Sequence, residues 1–215
     1  MKAIPTPQLG QWQGDLGRKY TDRNSMSPAQ VDDLWRKNYG ISRTAVNREF
    51  LGDLPRNTRI LEVGCNIGNQ LLLLEEQGFS DLHGLEIQAY ALEIARARAP
   101  RIGFSQGSAL ELPFENNSFD LVLTSGVLIH IAPQDLPIAL GEIHRCAKRN
   151  IYGAEYYSPS VTQLKWREQD GLMWKMDYAR EYLSHFQDLE LVMERRMPYV
   201  DNDNVDSVFL LRKNS

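Results

Sequence analysis

The middle of the chain alternates short apolar runs with amphipathic ones. Arg59–Val63 reads as a strand, and Gln70–Gln77 carries a leucine face and ends at Gly78, a residue suited to closing a helix. His83–Ile87 predicts a second strand, Ala89–Arg98 an alanine-rich helix stopped by Pro100, and Ile102–Gln106 a third strand. Phe119–Leu123 is almost wholly apolar, as a strand covered on both faces is. Helix Asp135–Cys146 and strand Asn150–Tyr156 complete five strands with crossover helices. Before residue 59 the chain is polar, with aromatics scattered on helical segments, one of them opened by Ser27-Pro28 and running through Trp35. After residue 156 the pattern returns to helix and closes on two strand-like runs, Leu189–Glu194 and Ser207–Leu211. The prediction is a single α/β domain over 1–215. A helical N-terminal lid (1–58) precedes a doubly wound, Rossmann-like core (59–215), whose seven-stranded, mostly parallel sheet has helices on both faces. Ligands of such sheets sit at the carboxyl ends of the strands.

Composition narrows the partners. The 215 residues carry a net charge of −4 with no long basic tract, which argues against nucleic acid. Arg96, Arg98 and Arg101 read as a solvated face. Cys65 and Cys146 have no metal-ligand spacing with each other or with the four histidines, so neither a metal nor a disulfide is expected. No run approaches the ~20 apolar residues of a membrane span, and Met1–Gly10 lacks an apolar leader core. A cytoplasmic protein with a small-molecule ligand is expected; the oligomeric state is left open.

The ligand signals recur at four successive strand ends. Between the first strand and first helix lies Leu61-Glu62-Val63-Gly64-Cys65-Asn66-Ile67-Gly68-Asn69, a glycine-bearing turn opening onto helix N–H groups. Asn66 occupies the middle glycine position of the dinucleotide pattern, where it crowds a pyrophosphate but suits an amino-acid moiety. Cys65 within the turn reads as a small packed residue. Glu86, followed by Ile87, ends the second strand, where an acid accepts both ribose hydroxyls of an adenosine. Ser108 and Ala109 follow the third strand, beside the expected place of the base, although Ser108 also suits a plain cap. Ser125 and Gly126 follow the fourth, and Gly126 permits close approach to a methionine portion.

This arrangement resembles the class I S-adenosylmethionine (SAM)-dependent methyltransferases over residues 59–212. A closer resemblance, to the methylases associated with pseudaminic acid biosynthesis, is carried by Trp12–Asn24, Glu62–Gly68, Gly126–Ile131 and Glu155–Pro159. It implies SAM as cofactor or substrate without a metal, and an N-terminal cluster of Tyr20, Arg23 and Asn24 folded over it. The chain departs from that pattern after Pro159, in Val161–Asp170 and Leu172–Tyr178, where an acceptor would be recognised. Bacterial azetidine-2-carboxylate synthases are similar to the same branch. They close the aminocarboxypropyl arm of SAM into a four-membered ring and release methylthioadenosine.

Two enzyme readings follow: cyclisation of SAM, which is preferred, or methyl transfer to a small metabolite or sugar. His130 is the histidine expected in the crevice and a candidate general base. Among Tyr20, Tyr156, Tyr157, Trp166, Trp174 and Tyr178, ring faces are expected to hold a sulfonium; Tyr156, Tyr20 and Tyr178 are the preferred catalytic candidates. A SAM-binding regulator and a nicotinamide oxidoreductase complete the alternatives, and Asn66 argues against the latter.

Overall fold

The computed structural model describes residues 6–166 and 169–214. Arg167 and Glu168, and with them the side chain of Trp166, lie outside the described residues. Four helices come first: α1 (Pro7–Gln13), α2 (Asp15–Arg23), α3 (Pro28–Tyr39) and α4 (Arg43–Leu51). Ser27 and Gln30 form the capping box that opens α3, as the Ser27-Pro28 signal implied.

The core follows as β1 (Arg59–Val63), α5 (Asn69–Glu76), β2 (Asp81–Glu86), α6 (Ala89–Arg98), β3 (Gly103–Gln106), β4 (Phe119–Ser125), a single 3-10 turn (Leu128–His130), α7 (Leu136–Cys146) and β5 (Ala147–Tyr156). After β5 come β6 (Thr162–Trp166), β7 (Gln169–Lys175), α8 (Tyr178–His185), β8 (Leu189–Pro198) and β9 (Val205–Lys213). The seven-stranded sheet runs β3-β2-β1-β4-β5-β9-β8, with the first five strands parallel and β9 antiparallel to both neighbours.

Alternation along the strands builds two cores. Leu61, Val63, Val122, Ile151, Phe209 and Leu211 face α7 and α8, whereas Ile60, Leu121, Leu123, Tyr152, Val208 and Leu210 face α4 and α5. With both faces buried, a ligand meets the sheet at the carboxyl ends of β1, β2, β3 and β4.

One expectation is corrected. Residues 157–177 do not return directly to helix: β6 and β7 pair as an antiparallel hairpin. Leu172 and Trp174 are both buried, so the segment has a period of two rather than 3.6, which a helical reading misses. The hairpin packs against the 3-10 turn, and the Leu172 carbonyl accepts a hydrogen bond from His130 Nδ1 at 2.9 Å. Among the described residues no helix is long and apolar enough to cross a membrane.

Candidate active site

A cleft of about 300 Å3 opens at the carboxyl ends of β1, β2, β3 and β4, within the size range of small-molecule sites. Its floor is the turn after β1. Gly64 has φ +70°, and a Cβ there would lie 2.6 Å from the Val127 side chain, so only glycine fits. Asn66 also adopts a left-handed conformation, φ +48°, which asparagine tolerates better than most residues. Its Oδ1 accepts from the Ile67 N–H (2.8 Å) and its Nδ2 donates to Thr21 Oγ1 (3.0 Å). The expectation that this amide serves an amino-acid moiety is thereby corrected: both ends bond within the protein.

Glu86, 8% exposed, accepts from the N–H groups of Asn66 (2.9 Å), Ile87 (2.8 Å) and Gln88 (2.9 Å). Burial raises its pKa and these bonds pull it back, with a net upward shift. It lines the cleft with Ile87, Ser108 and Ala109. The Ser108 hydroxyl accepts from the Leu110 N–H at 3.1 Å, so it caps a turn as well as lining the wall.

The roof is α1 and α2. Gln88 Nε2 donates to the carbonyls of Trp12 (3.3 Å) and Gly14 (3.2 Å), while Gln88 Oε1 accepts from the Thr21 hydroxyl (3.1 Å). Gly17 permits this approach, because a Cβ there would meet the Trp12 carbonyl at 2.0 Å and Gln88 Nε2 at 2.7 Å. Asn69 Nδ2 donates to the Asn24 carbonyl at 2.9 Å, and Arg98 bonds the carbonyls of Ile67 and Met26. Gln8 Nε2 reaches the Gly171 carbonyl at 3.0 Å, joining α1 to the hairpin. Under this roof Trp12 packs against Tyr20 (centroids 5.4 Å apart) and His130 (4.4 Å), an aromatic surface of the kind that favours a cation.

Two ionisable groups face the cleft from the α4 side and the floor. Arg43 is 1% exposed. Its Nε donates to Gln70 Oε1 (2.9 Å), its Nη2 to Ser125 Oγ (3.4 Å), and its guanidinium lies 4.3 Å from the Trp35 ring centroid. Arg43 Nη1 has no hydrogen-bond partner. Glu62 is 4% exposed and lines the same cleft; it accepts from the Leu71 N–H, and its Oε2 also lacks a partner. Burial pushes the Glu62 pKa up to about 8, against the lowering influence of Arg43. A buried guanidinium with an open donor and a buried carboxyl with an open oxygen are costly unless a ligand completes them.

The structure brings Tyr20, Asn24, Gly64, Cys65, Asn66, Asn69, Glu86, Ile87, Ser108, Ala109, Ser125, Gly126 and His130 to this one cleft. Four predicted residues are not in its lining. Arg23 is exposed on α2. Gly68 caps α5 in a left-handed conformation. Tyr156 is half-buried against Tyr199, beside the cleft. Tyr178, the first residue of α8, is 1% exposed and donates to the Trp174 carbonyl at 3.0 Å, so it is a core residue and not a group that touches a ligand. Trp174 belongs to the same core, and the Arg196 guanidinium covers the Tyr157 ring. Trp12, Trp35, Arg43 and Gln88 are lining residues that sequence reasoning missed. Trp12, Trp35 and Arg43 sit outside any strand-end motif and arrive through packing of the lid, whereas Gln88 directly follows Glu86-Ile87 at the end of β2.

His130 is also corrected. Because a carbonyl can only accept, its Nδ1 carries the proton toward Leu172, and burial pushes its pKa down to about 4. It is neutral at pH 7 and a poor proton acceptor. Burial raises the Cys65 thiol well above its ordinary pKa, which keeps it protonated and unreactive. Among the described residues no three His, Cys, Asp or Glu side chains gather as a metal site.

Residues 60–150 match the family described as Methyltransferase domain. The 1,6-didemethyltoxoflavin-N1-methyltransferase of Burkholderia thailandensis, solved with S-adenosylhomocysteine bound, superposes with a TM-score of 0.73 at 18% identity, covering 100% of this chain and 93% of that one. The chain has the fold of the class I SAM-dependent methyltransferases. The [4+2]-cyclase SpnF shares that fold, with a TM-score of 0.66 at 18% identity, covering 80% of this chain and 79% of that one. Among curated proteins, the demethylmenaquinone methyltransferase of Lactococcus lactis is 33% identical over 140 residues, 62% of this chain and 51% of that protein. The 2-phytyl-1,4-naphtoquinone methyltransferase of Nostoc is 29% identical over 139 residues, 60% of this chain and 58% of that protein. The chain thus spans about half the length of the curated relatives it matches.

Proposed function

We propose that this protein is a SAM-using enzyme and that its reaction is closure of the aminocarboxypropyl arm to azetidine-2-carboxylate, with release of methylthioadenosine. The observation that carries SAM binding is the cleft's pair of open buried groups, Arg43 Nη1 and Glu62 Oε2, beside a lining suited to an adenosine. Glu86 offers carboxylate oxygens to ribose hydroxyls, Ser108 and Ala109 flank the adenine, and Arg43 Nη1 and Glu62 Oε2 complement an amino-acid carboxylate and ammonium. Bound there, SAM supplies a sulfonium with electrophilic carbons. Trp12 and Tyr20 provide ring faces for that cation, and the roofing helices exclude water.

The cyclisation reading draws on where the proton-accepting group lies. His130 is neutral and weakly basic, whereas Glu62 stands at the amino-acid end with an open oxygen. Orientation supplies most of the barrier lowering for such a displacement, about 7–11 kcal/mol in well-aligned cases.

Methyl transfer to a small acceptor is the second reading. It is favoured by the names of the relatives and by Asp135, a second acidic side chain that lines the cleft. Thermal unfolding tests the common part: S-adenosylhomocysteine at 100 times its Kd raises stability by about 2.7 kcal/mol, and NADH does not. No shift with either SAM or S-adenosylhomocysteine would remove both readings.

A further inference from the structure

Glu62 does more than close one side of the cleft. It lies at the middle of the sheet on β1, 4% exposed, with one side of its carboxylate held by the Leu71 N–H in the first turn of α5 and Oε2 without a partner. The charged and titratable groups acting on it come from three elements: Arg43 on α4, Glu86 at the end of β2, and the Cys65 thiol in the adjoining turn. Arg43 is the one cation of the set, and it spends Nε and Nη2 on Gln70 and Ser125 rather than on Glu62.

We infer that Glu62 Oε2 is the proton acceptor for the α-ammonium group of the bound amino-acid arm, which leaves that nitrogen as a free amine. This rests on the reading that the cleft takes SAM. Glu62 gains the proton and passes it to solvent. The nitrogen lone pair so freed forms the bond to the γ-carbon, and the electron pair of the broken C–S bond leaves with sulfur. Burial supports the assignment, because a carboxyl removed from water is a stronger proton acceptor than an exposed one.

The free protein therefore carries Glu62 mostly protonated at pH 7, and taking up an ammonium-bearing ligand expels a proton. Calorimetry of S-adenosylhomocysteine binding at pH 7, in buffers of different ionisation enthalpy, is expected to give release of about one proton per site. The release is expected to vanish in Glu62→Gln, together with a loss of at least about 100-fold in turnover of SAM. Tight binding to the unaltered protein without proton release would overturn the inference, and so would undiminished release in the variant. No binding of S-adenosylhomocysteine would overturn the reading beneath it as well, which separates the two failures.

Discussion

Asn66 Nδ2 donates to Thr21 Oγ1 across 3.0 Å, so the turn that floors the cleft and the helix that roofs it share one hydrogen bond. The Thr21 hydroxyl passes the link on to Gln88 Oε1, and Gln88 Nε2 holds the carbonyls of Trp12 and Gly14. The lid is thus latched by buried polar groups rather than by apolar packing alone, and each group depends on the others for its partner.

Thr21→Val keeps the shape and removes the hydroxyl, leaving Asn66 Nδ2 and Gln88 Oε1 unpaired. Each unpaired buried group costs about 1–3 kcal/mol. Amide hydrogen exchange in residues 7–23 is expected to rise at least tenfold while β4 and β5 keep their protection. Unchanged exchange in α1 and α2 would show that the latch does not hold the lid.

Arg43→Met separates the two ends of the ligand. Losing a charge-assisted bond costs about 1.5–3 kcal/mol, so S-adenosylhomocysteine is expected to bind roughly 10- to 100-fold more weakly. Methylthioadenosine, which lacks the amino-acid end, is expected to change less than about twofold. Equal losses for both ligands would place Arg43 in the scaffold alone.

Glu86→Ala is expected to weaken S-adenosylhomocysteine by at least about tenfold. In the structure that acid also accepts three backbone N–H groups. The variant is therefore also expected to lose about 1–3 kcal/mol of stability in urea. A variant of full stability and full affinity would refute the ribose assignment.

The lowered pKa of His130 makes a signed prediction. In the unfolded chain the imidazole takes a proton near pH 6.5, and in the folded protein only near pH 4. The unfolded state therefore binds more protons between those values, so this group's contribution is intact above pH 6.5 and is lost as pH falls toward 4. The loss amounts to about 3 kcal/mol. His130→Gln is expected to flatten that limb of the stability curve, and NMR of the ring is expected to show no titration above pH 5. A ring titrating near pH 6.5 in the folded protein would restore it as a general base.

The sheet and the strand-end motifs were legible because each rests on a local pattern. Apolar runs set β1, β4 and β5, and Gly64, Glu86, Ser108 and Gly126 follow their strands directly. Thirteen of the seventeen predicted site residues line the cleft, as Glu86 and Asn24 illustrate. Arg43 and Trp35 were not legible, because they reach the cleft through the packing of α3 and α4 against α5, which no spacing encodes. Tyr178 was misplaced because an aromatic ring in the departing segment Leu172–Tyr178 was expected to hold a sulfonium, whereas in the structure it opens α8 with its ring in the core. The hairpin was missed because its alternation is short and interrupted by Gly171.

Incubating the purified protein with SAM alone, followed by mass spectrometry, tests the central claim most directly. Methylthioadenosine and azetidine-2-carboxylate are expected in equal amounts, formed well above the rate of spontaneous SAM decay. Intact SAM, with S-adenosylhomocysteine appearing only once an acceptor is added, would contradict cyclisation and make the protein a methyltransferase.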